Sequence, residues 1–201
     1  MDIKQITFQF KGTRNYIHGT DMFNIMTAVD TDETILSNIR FSVHGFVHKP
    51  LCQLYSADTK EALNSVPNVR ARCQFDKNGS TQWLVLSESE SDAALDGRYE
   101  YDEDRIVALC KQDADSLIIT QTSPFSFIET IVAMTKHLHQ QLFPEVIGKW
   151  VFTRIELDTA CYERENLALR FRHNMNYRLT KSDVLVNGEK LGDIYFSLVK
   201  S

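Results

Sequence analysis

The amino-acid sequence predicts an α+β protein made of two similar halves, each with one long helix laid across a curved antiparallel sheet. Segments of alternating, β-branched or aromatic residues, which are typical of strands, follow each of two helical patterns. An Asn-Gly dipeptide, a strong hairpin signal, occurs late in each half, at 78–79 and 187–188. We expect the halves to span residues 1–95 and 96–201.

The first half begins with a strand pattern. Residues Ile6 to Phe10 alternate between apolar and polar types, which predicts a half-buried strand. Polar and turn-forming residues from Gly12 to Gly19 end it, and a short helix is expected from about Asp21 to Val29. Four strands rich in β-branched or aromatic residues are expected to follow: Ile39 to Val47, Leu51 to Tyr55, Val69 to Phe75 and Trp83 to Ser87.

The second half repeats this order after an acidic, serine-rich, linker-like stretch from Glu88 to Asp104. The segments Ile106 to Cys110 and Ser116 to Thr120 are expected to form two strands or one bent strand. A helix is predicted from Phe125 to Leu142, because its apolar residues recur about every 3.6 positions and prolines flank it. Four further strands are expected: Trp150 to Leu157, Asn166 to Phe171, Tyr177 to Val186 and Asp193 to Val199.

The recurrence of elements favours a duplication within the chain. When Asn24 is set against Glu129, the starts of the two helices align, and the two Asn-Gly turns also fall at matching places. Identity between the halves is low, so chance similarity between two α+β segments remains the alternative.

Composition indicates an ordinary globular protein of 201 residues, 43% of them hydrophobic, with a net charge of −5. The basic residues are dispersed, so no nucleic-acid partner is expected. The N-terminal segment does not resemble a signal peptide, and no stretch approaches the roughly 20 apolar residues of a membrane span. We therefore expect a cytoplasmic protein with no membrane partner. Four cysteines without a CxxC pair predict reduced, mostly buried thiols and no local metal site, although a cluster in space stays open.

The order of a strand, a helix wrapped by the sheet and four antiparallel strands resembles the hotdog fold, and two copies resemble a double hotdog. The likeness covers nearly the whole chain. The segment 127–133, Phe-Ile-Glu-Thr-Ile-Val-Ala, is similar to the helix of β-hydroxyacyl-ACP dehydratases, in which an acidic residue follows two apolar ones. The resemblance implies an acyl thioester of coenzyme A or acyl carrier protein as ligand, in lipid or polyketide metabolism. It implies no cofactor, and it allows double hotdogs to assemble into a homo-oligomer.

The resemblance also names a catalytic pair. In that family a histidine just before the helix of one subunit works with the acidic residue of the other. Here His18 precedes the first helix and Glu129 lies in the second, whereas their counterparts in the other halves are about Ser123 and Asn24. The resemblance implies that His18 removes the α-proton of a 3-hydroxyacyl thioester and Glu129 protonates the departing hydroxyl. Substrate binding is expected near Asn24 and at Gly19, where backbone N–H groups could hold the thioester carbonyl.

Departures from the family pattern keep other functions open. The dehydratases carry Gly-His-Phe-Pro-Gly where this chain has Ile-His-Gly-Thr-Asp at 17–21, and Thr13 replaces the aspartate of hydratase-type hotdogs. One alternative is a thioesterase, in which Asp21 or Glu129 activates water. Another is a protein that binds acyl thioesters without turning them over.

Four candidate residues also have structural interpretations. Glu129 fits a capping box with Ser126 at the start of the second helix. His18 could be a loop histidine that bonds the backbone. His137 and His139 are two positions apart on a helix, so they point to different faces, and solvated positions are expected for both.

Overall fold

The computed structural model describes residues 1–28, 35–49, 51–89 and 97–200. The chain divides into two compact units, Met1–Tyr101 and Asp102–Ser201. Within the described ranges, no helix is both long and apolar enough to cross a membrane. All four cysteines are free thiols; Cys52 and Cys73 are buried, and Cys110 and Cys161 are partly buried.

In its described residues, the first unit has a five-stranded antiparallel sheet and one α-helix. The sheet has the order β1-β4-β6-β5-β3, and the short strands β2 and β7 pair with each other in parallel. A single 3₁₀ turn occupies Glu61–Leu63. The elements are β1 (Asp2–Thr7), β2 (Phe10–Lys11), α1 (Gly19–Thr27), β3 (Ser37–Val43), β4 (Leu51–Ala57), β5 (Val69–Lys77), β6 (Ser80–Glu88) and β7 (Arg98–Tyr99).

Helix α1 supplies one face of the first core. Its side chains Met22, Phe23 and Met26 are buried. Phe23 meets Phe41 of β3 edge to face, with ring centroids 5.4 Å apart. Fully burying side chains of this size stabilises a fold by roughly 1.5–3 kcal/mol each. The apolar face of α1 therefore holds its first turn, which carries the candidate site, against the sheet.

The second unit is a six-stranded antiparallel sheet with one long helix. The sheet has the order β10-β13-β12-β11-β9-β8. Its elements are α2 (Asp104–Val107), β8 (Lys111–Asp113), β9 (Ser116–Ile119), α3 (Phe127–Leu142), β10 (Lys149–Thr159), β11 (Leu167–Asn174), β12 (Thr180–Val186) and β13 (Glu189–Val199).

Both predicted Asn-Gly hairpins are confirmed. Asn78 and Gly79 have φ angles of 51° and 77°, and they join β5 to β6. Asn187 and Gly188 have φ angles of 54° and 85°, and they join β12 to β13. Two consecutive left-handed residues are what a tight hairpin with the twist of the strands requires, and Asn-Gly adopts them at little cost.

The helical predictions are confirmed for α3 and only in part for α1. Helix α3 has 16 residues, as expected from its apolar period. Helix α1 has nine residues, so the structure does not confirm a long helix in each half. The last residue of the predicted first helix, Val29, lies outside the described ranges.

The prediction of a strand at Ile106 to Cys110 is wrong, because Asp104–Val107 forms a short helix, α2. The Asp102 carboxylate accepts the Asp104 N–H at 3.0 Å, and this local bond starts the turn. Ile106 is completely buried, and α2 packs against α3. A local turn and tertiary burial thus override the strand preference of a β-branched residue.

The expectation that His139 is solvated is also wrong. The side chain has no exposed surface, and Trp150 and Phe196 lie against its ring at 4.3 and 5.5 Å between centroids. Nδ1 donates to the Thr135 carbonyl at 2.6 Å, and Nε2 lies 2.7 Å from the Thr180 hydroxyl oxygen. Desolvation lowers the pKa of His139 to about 4, so the ring is neutral in the folded protein.

Candidate functional site

His18 is the N-cap residue of α1, where the backbone is extended, with φ −76° and ψ 143°. Its carbonyl accepts hydrogen bonds from the N–H groups of Asp21 and Met22 at 3.0 and 3.3 Å. The preceding residue, Ile17, donates its N–H to the Val47 carbonyl at 2.8 Å, which anchors the loop to the body of the unit. The half-buried imidazole is therefore held at a fixed helix start.

The other residues predicted to bind substrate share this helix. Gly19 is its first residue, and Asn24 lies in its middle and is half-buried. His18 thus caps the nine-residue helix that contains Gly19 and Asn24.

A buried lysine lies beneath the start of α1. Lys11, at the end of β2, has no exposed side-chain surface, and its Nζ lies 2.8 Å from Asp21 Oδ1 and 2.7 Å from Thr20 Oγ1. The Tyr99 hydroxyl donates to the same Asp21 oxygen at 2.7 Å. The ammonium also lies 4.7 Å from the Tyr101 ring centroid, within cation–π range. We call these five residues the Lys11 cluster.

The Lys11 cluster contacts His18 through one residue. Thr20 is completely buried, and its Oγ1 lies 2.8 Å from His18 Nδ1. Because the same oxygen accepts a hydrogen bond from Lys11, the candidate base is joined to a buried ion pair through a single hydroxyl. The Asp21 carboxylate, considered above as a water activator, is engaged by Lys11 and Tyr99.

Sequence reasoning missed Lys11, Tyr99 and Tyr101. A single lysine that ends an alternating segment carries no signal of burial. Residues 98–101, Arg-Tyr-Glu-Tyr, do alternate, and this pattern inside the apparent linker could have predicted β7. Residues 90–96 of that linker lie outside the described ranges.

Glu129 is the third residue of α3, and it forms the capping box that its sequence predicts. Its Oε2 accepts from the Ser126 N–H at 3.0 Å and from the Ser126 hydroxyl at 2.6 Å. Ser126 Oγ in turn accepts from the Glu129 N–H at 3.4 Å. Ser123, the counterpart of His18, is completely buried and accepts from the Thr130 hydroxyl at 2.7 Å.

The two predicted catalytic residues belong to different units, His18 to Met1–Tyr101 and Glu129 to Asp102–Ser201. Their joint action therefore stays a prediction. Among the residues that the structure describes, no group of three or more histidine, cysteine or carboxylate side chains could hold a metal ion.

No family model matches the sequence, and no curated protein matches it either. Solved structures do match the fold. A monomeric dehydratase domain from a trans-AT polyketide synthase split module is 10% identical, with 98% of each chain covered and a TM-score of 0.54. A protein assigned as a thioesterase II from Thermobifida fusca is 8% identical, covering 100% of this chain and 93% of that one, with a TM-score of 0.52. The dehydratase domain of RzxB from Pseudomonas fluorescens is 10% identical, covering 96% and 94%, with a TM-score of 0.50.

At such low identity these likenesses concern the fold alone. They confirm the resemblance to hotdog proteins that the sequence predicted. Dehydratase domains and a thioesterase share this fold, so the reaction has to be argued from the site itself.

Proposed function

We propose that this chain acts on acyl thioesters of coenzyme A or acyl carrier protein, and that it removes water from a 3-hydroxyacyl thioester. The observation that carries the proposal is the place of His18, at the start of α1 and supported by a buried ion pair through Thr20. A hotdog-type fold that solved dehydratase domains also have supports it.

In the proposed reaction His18 takes the proton from the α-carbon, the carbon–carbon double bond forms, and the hydroxyl leaves the β-carbon as water. Glu129 supplies the proton to that hydroxyl. Because Glu129 Oε2 accepts two hydrogen bonds from Ser126, the acidic proton would be carried on Oε1. First-turn N–H groups near Gly19 would stabilise the negative charge on the thioester carbonyl oxygen, and Asn24 would contact the substrate.

The test is mass spectrometry of 3-hydroxyacyl thioesters on both carriers, incubated with the protein and its variants. We expect loss of one water from the substrate, abolished by His18→Gln and by Glu129→Gln. Glutamine at 129 keeps an acceptor for the capping box but cannot donate a carboxylic proton, so this variant separates catalysis from capping. His173→Gln, at an exposed histidine, is the matched control.

Thioester hydrolysis is the second candidate, because the fold is shared with the protein assigned as a thioesterase II. Glu129 would then activate a water molecule. Release of free thiol in the same incubation, lost in Glu129→Gln, would favour hydrolysis. Binding of the thioester without any turnover would favour a non-catalytic role.

A further inference from the structure

The Thr20 hydroxyl is surrounded by three polar side chains of the first unit. Its Oγ1 lies 2.7 Å from Lys11 Nζ, 2.8 Å from His18 Nδ1 and 3.5 Å from Asp21 Oδ1. A hydroxyl has one hydrogen to donate and two lone pairs to offer. The donor and acceptor roles in this group can therefore be assigned by counting.

Lys11 can only donate, so its ammonium occupies one lone pair of Thr20. Two arrangements then remain. In one, Thr20 donates its hydrogen to His18 Nδ1, and the contact with Asp21 contains no hydrogen. In the other, His18 donates from Nδ1 to the second lone pair, and Thr20 directs its hydrogen to Asp21. Counted at the Thr20 hydroxyl, the second arrangement makes one more hydrogen bond, and the acceptor of that bond is the Asp21 carboxylate, 3.5 Å away.

We propose that Lys11 and Thr20 are positioning residues that hold neutral His18 with its proton on Nδ1, so that Nε2 is the basic nitrogen. The catalytic consequence rests on the proposed function, since a base that acts through Nε2 needs that nitrogen unprotonated. The tautomer itself does not depend on any reaction.

The same hydrogen bonds suit both protonation states of His18. When Nε2 takes a proton, Nδ1 continues to donate to Thr20, and Thr20 continues to donate to Asp21. No hydroxyl has to turn during the proton transfer. Lys11 is held in place by its ion pair with Asp21 and by the Tyr101 ring. Its ammonium therefore continues to donate to the same lone pair of Thr20 Oγ1.

The experiment is ¹⁵N NMR of the imidazole nitrogens in the whole chain without substrate, at a pH where His18 is neutral. The His18 signals are assigned by their loss in His18→Gln. Thr20→Val removes the hydroxyl and keeps the branched shape, and Thr20→Ser keeps the hydroxyl. Thr27→Val is the matched control, because Thr27 lies on the same helix and its hydroxyl donates to the Phe23 carbonyl at 2.8 Å.

We expect the Nδ1–H tautomer in the wild type, Thr20→Ser and Thr27→Val, and a mixture of tautomers in Thr20→Val. A wild-type His18 that carries its proton on Nε2, or a Thr20→Val variant with the wild-type tautomer, would overturn the proposal. If the wild-type chain dehydrates a 3-hydroxyacyl thioester, Thr20→Val should lower the kcat of that reaction on the order of tenfold. Thr20→Ser should have a kcat close to that of the wild type. The expected tautomers without any turnover would support the positioning role and count against the proposed function.

Discussion

Lys11 Nζ lies 2.8 Å from Asp21 Oδ1, and the Lys11 side chain has no exposed surface, while the Asp21 side chain is 13% exposed. A buried charge is tolerated only when it is paired and hydrogen-bonded, and here the partners are a carboxylate, a hydroxyl and an aromatic ring. The pair joins β2 to the first turn of α1, so the start of the candidate site depends on it.

Removing one member of this pair should destabilise the protein more than removing both. We expect Lys11→Met to cost about 3 kcal/mol, because it leaves the Asp21 charge without its ammonium. The double variant Lys11→Met/Asp21→Asn should recover part of that loss. Urea unfolding of the single and double variants measures the coupling. Strictly additive losses would show that the ion pair does not couple the two side chains.

Stability should fall at mildly acidic pH because of His139. Its folded pKa is about 4, below the ordinary value of 6.5, so between these values the unfolded chain binds more protons. Neutral His139 contributes about 3 kcal/mol to the free energy of unfolding. This contribution is complete above pH 6.5 and is lost as the pH falls toward 4. Urea unfolding from pH 8 to 4 should show a shallower loss in His139→Asn than in the wild type. His173→Gln, at an exposed site, should follow the wild type, and equal slopes for His139→Asn would contradict the prediction.

The capping box of α3 predicts an ordered series of variants. Ser126→Ala removes the cap acceptor and should cost about 1 kcal/mol. Glu129→Gln should cost less than Glu129→Ala, because an amide oxygen can still accept the Ser126 N–H. Thermal unfolding of the three variants gives the order. A Glu129→Gln variant as unstable as Glu129→Ala would mean that the carboxylate charge, and not the capping bond, stabilises this helix end.

Gly192 permits the close approach of β13 to β10. A Cβ at this position would lie 2.0 Å from the Glu156 carbonyl oxygen, which is backbone and cannot move aside. We expect Gly192→Ala to cost about 3 kcal/mol or more by overpacking. Gly188→Ala is the comparison, because nothing lies within 4 Å of its Cβ and only its left-handed backbone, with φ +85°, is strained. That variant should lose about 1 kcal/mol in urea unfolding. Equal losses would show that crowding at Gly192 is relieved elsewhere.

Elements with local causes were predictable from the sequence. Helix α3 has its own apolar period, a proline before its start and a capping box within its first turn. Each Asn-Gly hairpin depends on two adjacent residues that tolerate a left-handed backbone. The family resemblance, carried by short segments, named His18 and Glu129. Both lie at helix starts, His18 as the N-cap of α1 and Glu129 in the first turn of α3.

The remaining features depended on contacts between distant parts of the chain. Ile106 lies in a helix and not in a strand because its side chain is buried in the second unit. His139 is shielded from solvent by Trp150 and Phe196, whose rings lie against its imidazole. Lys11 was buried because the fold brings Asp21 and Tyr99 to it from separate elements. The sequence by itself determined most strands of the two sheets and the long helix, since each follows from neighbouring residues, and the family resemblance named the candidate histidine. Only the tertiary structure decided which polar groups lose water, because burial depends on side chains that are far apart in the sequence.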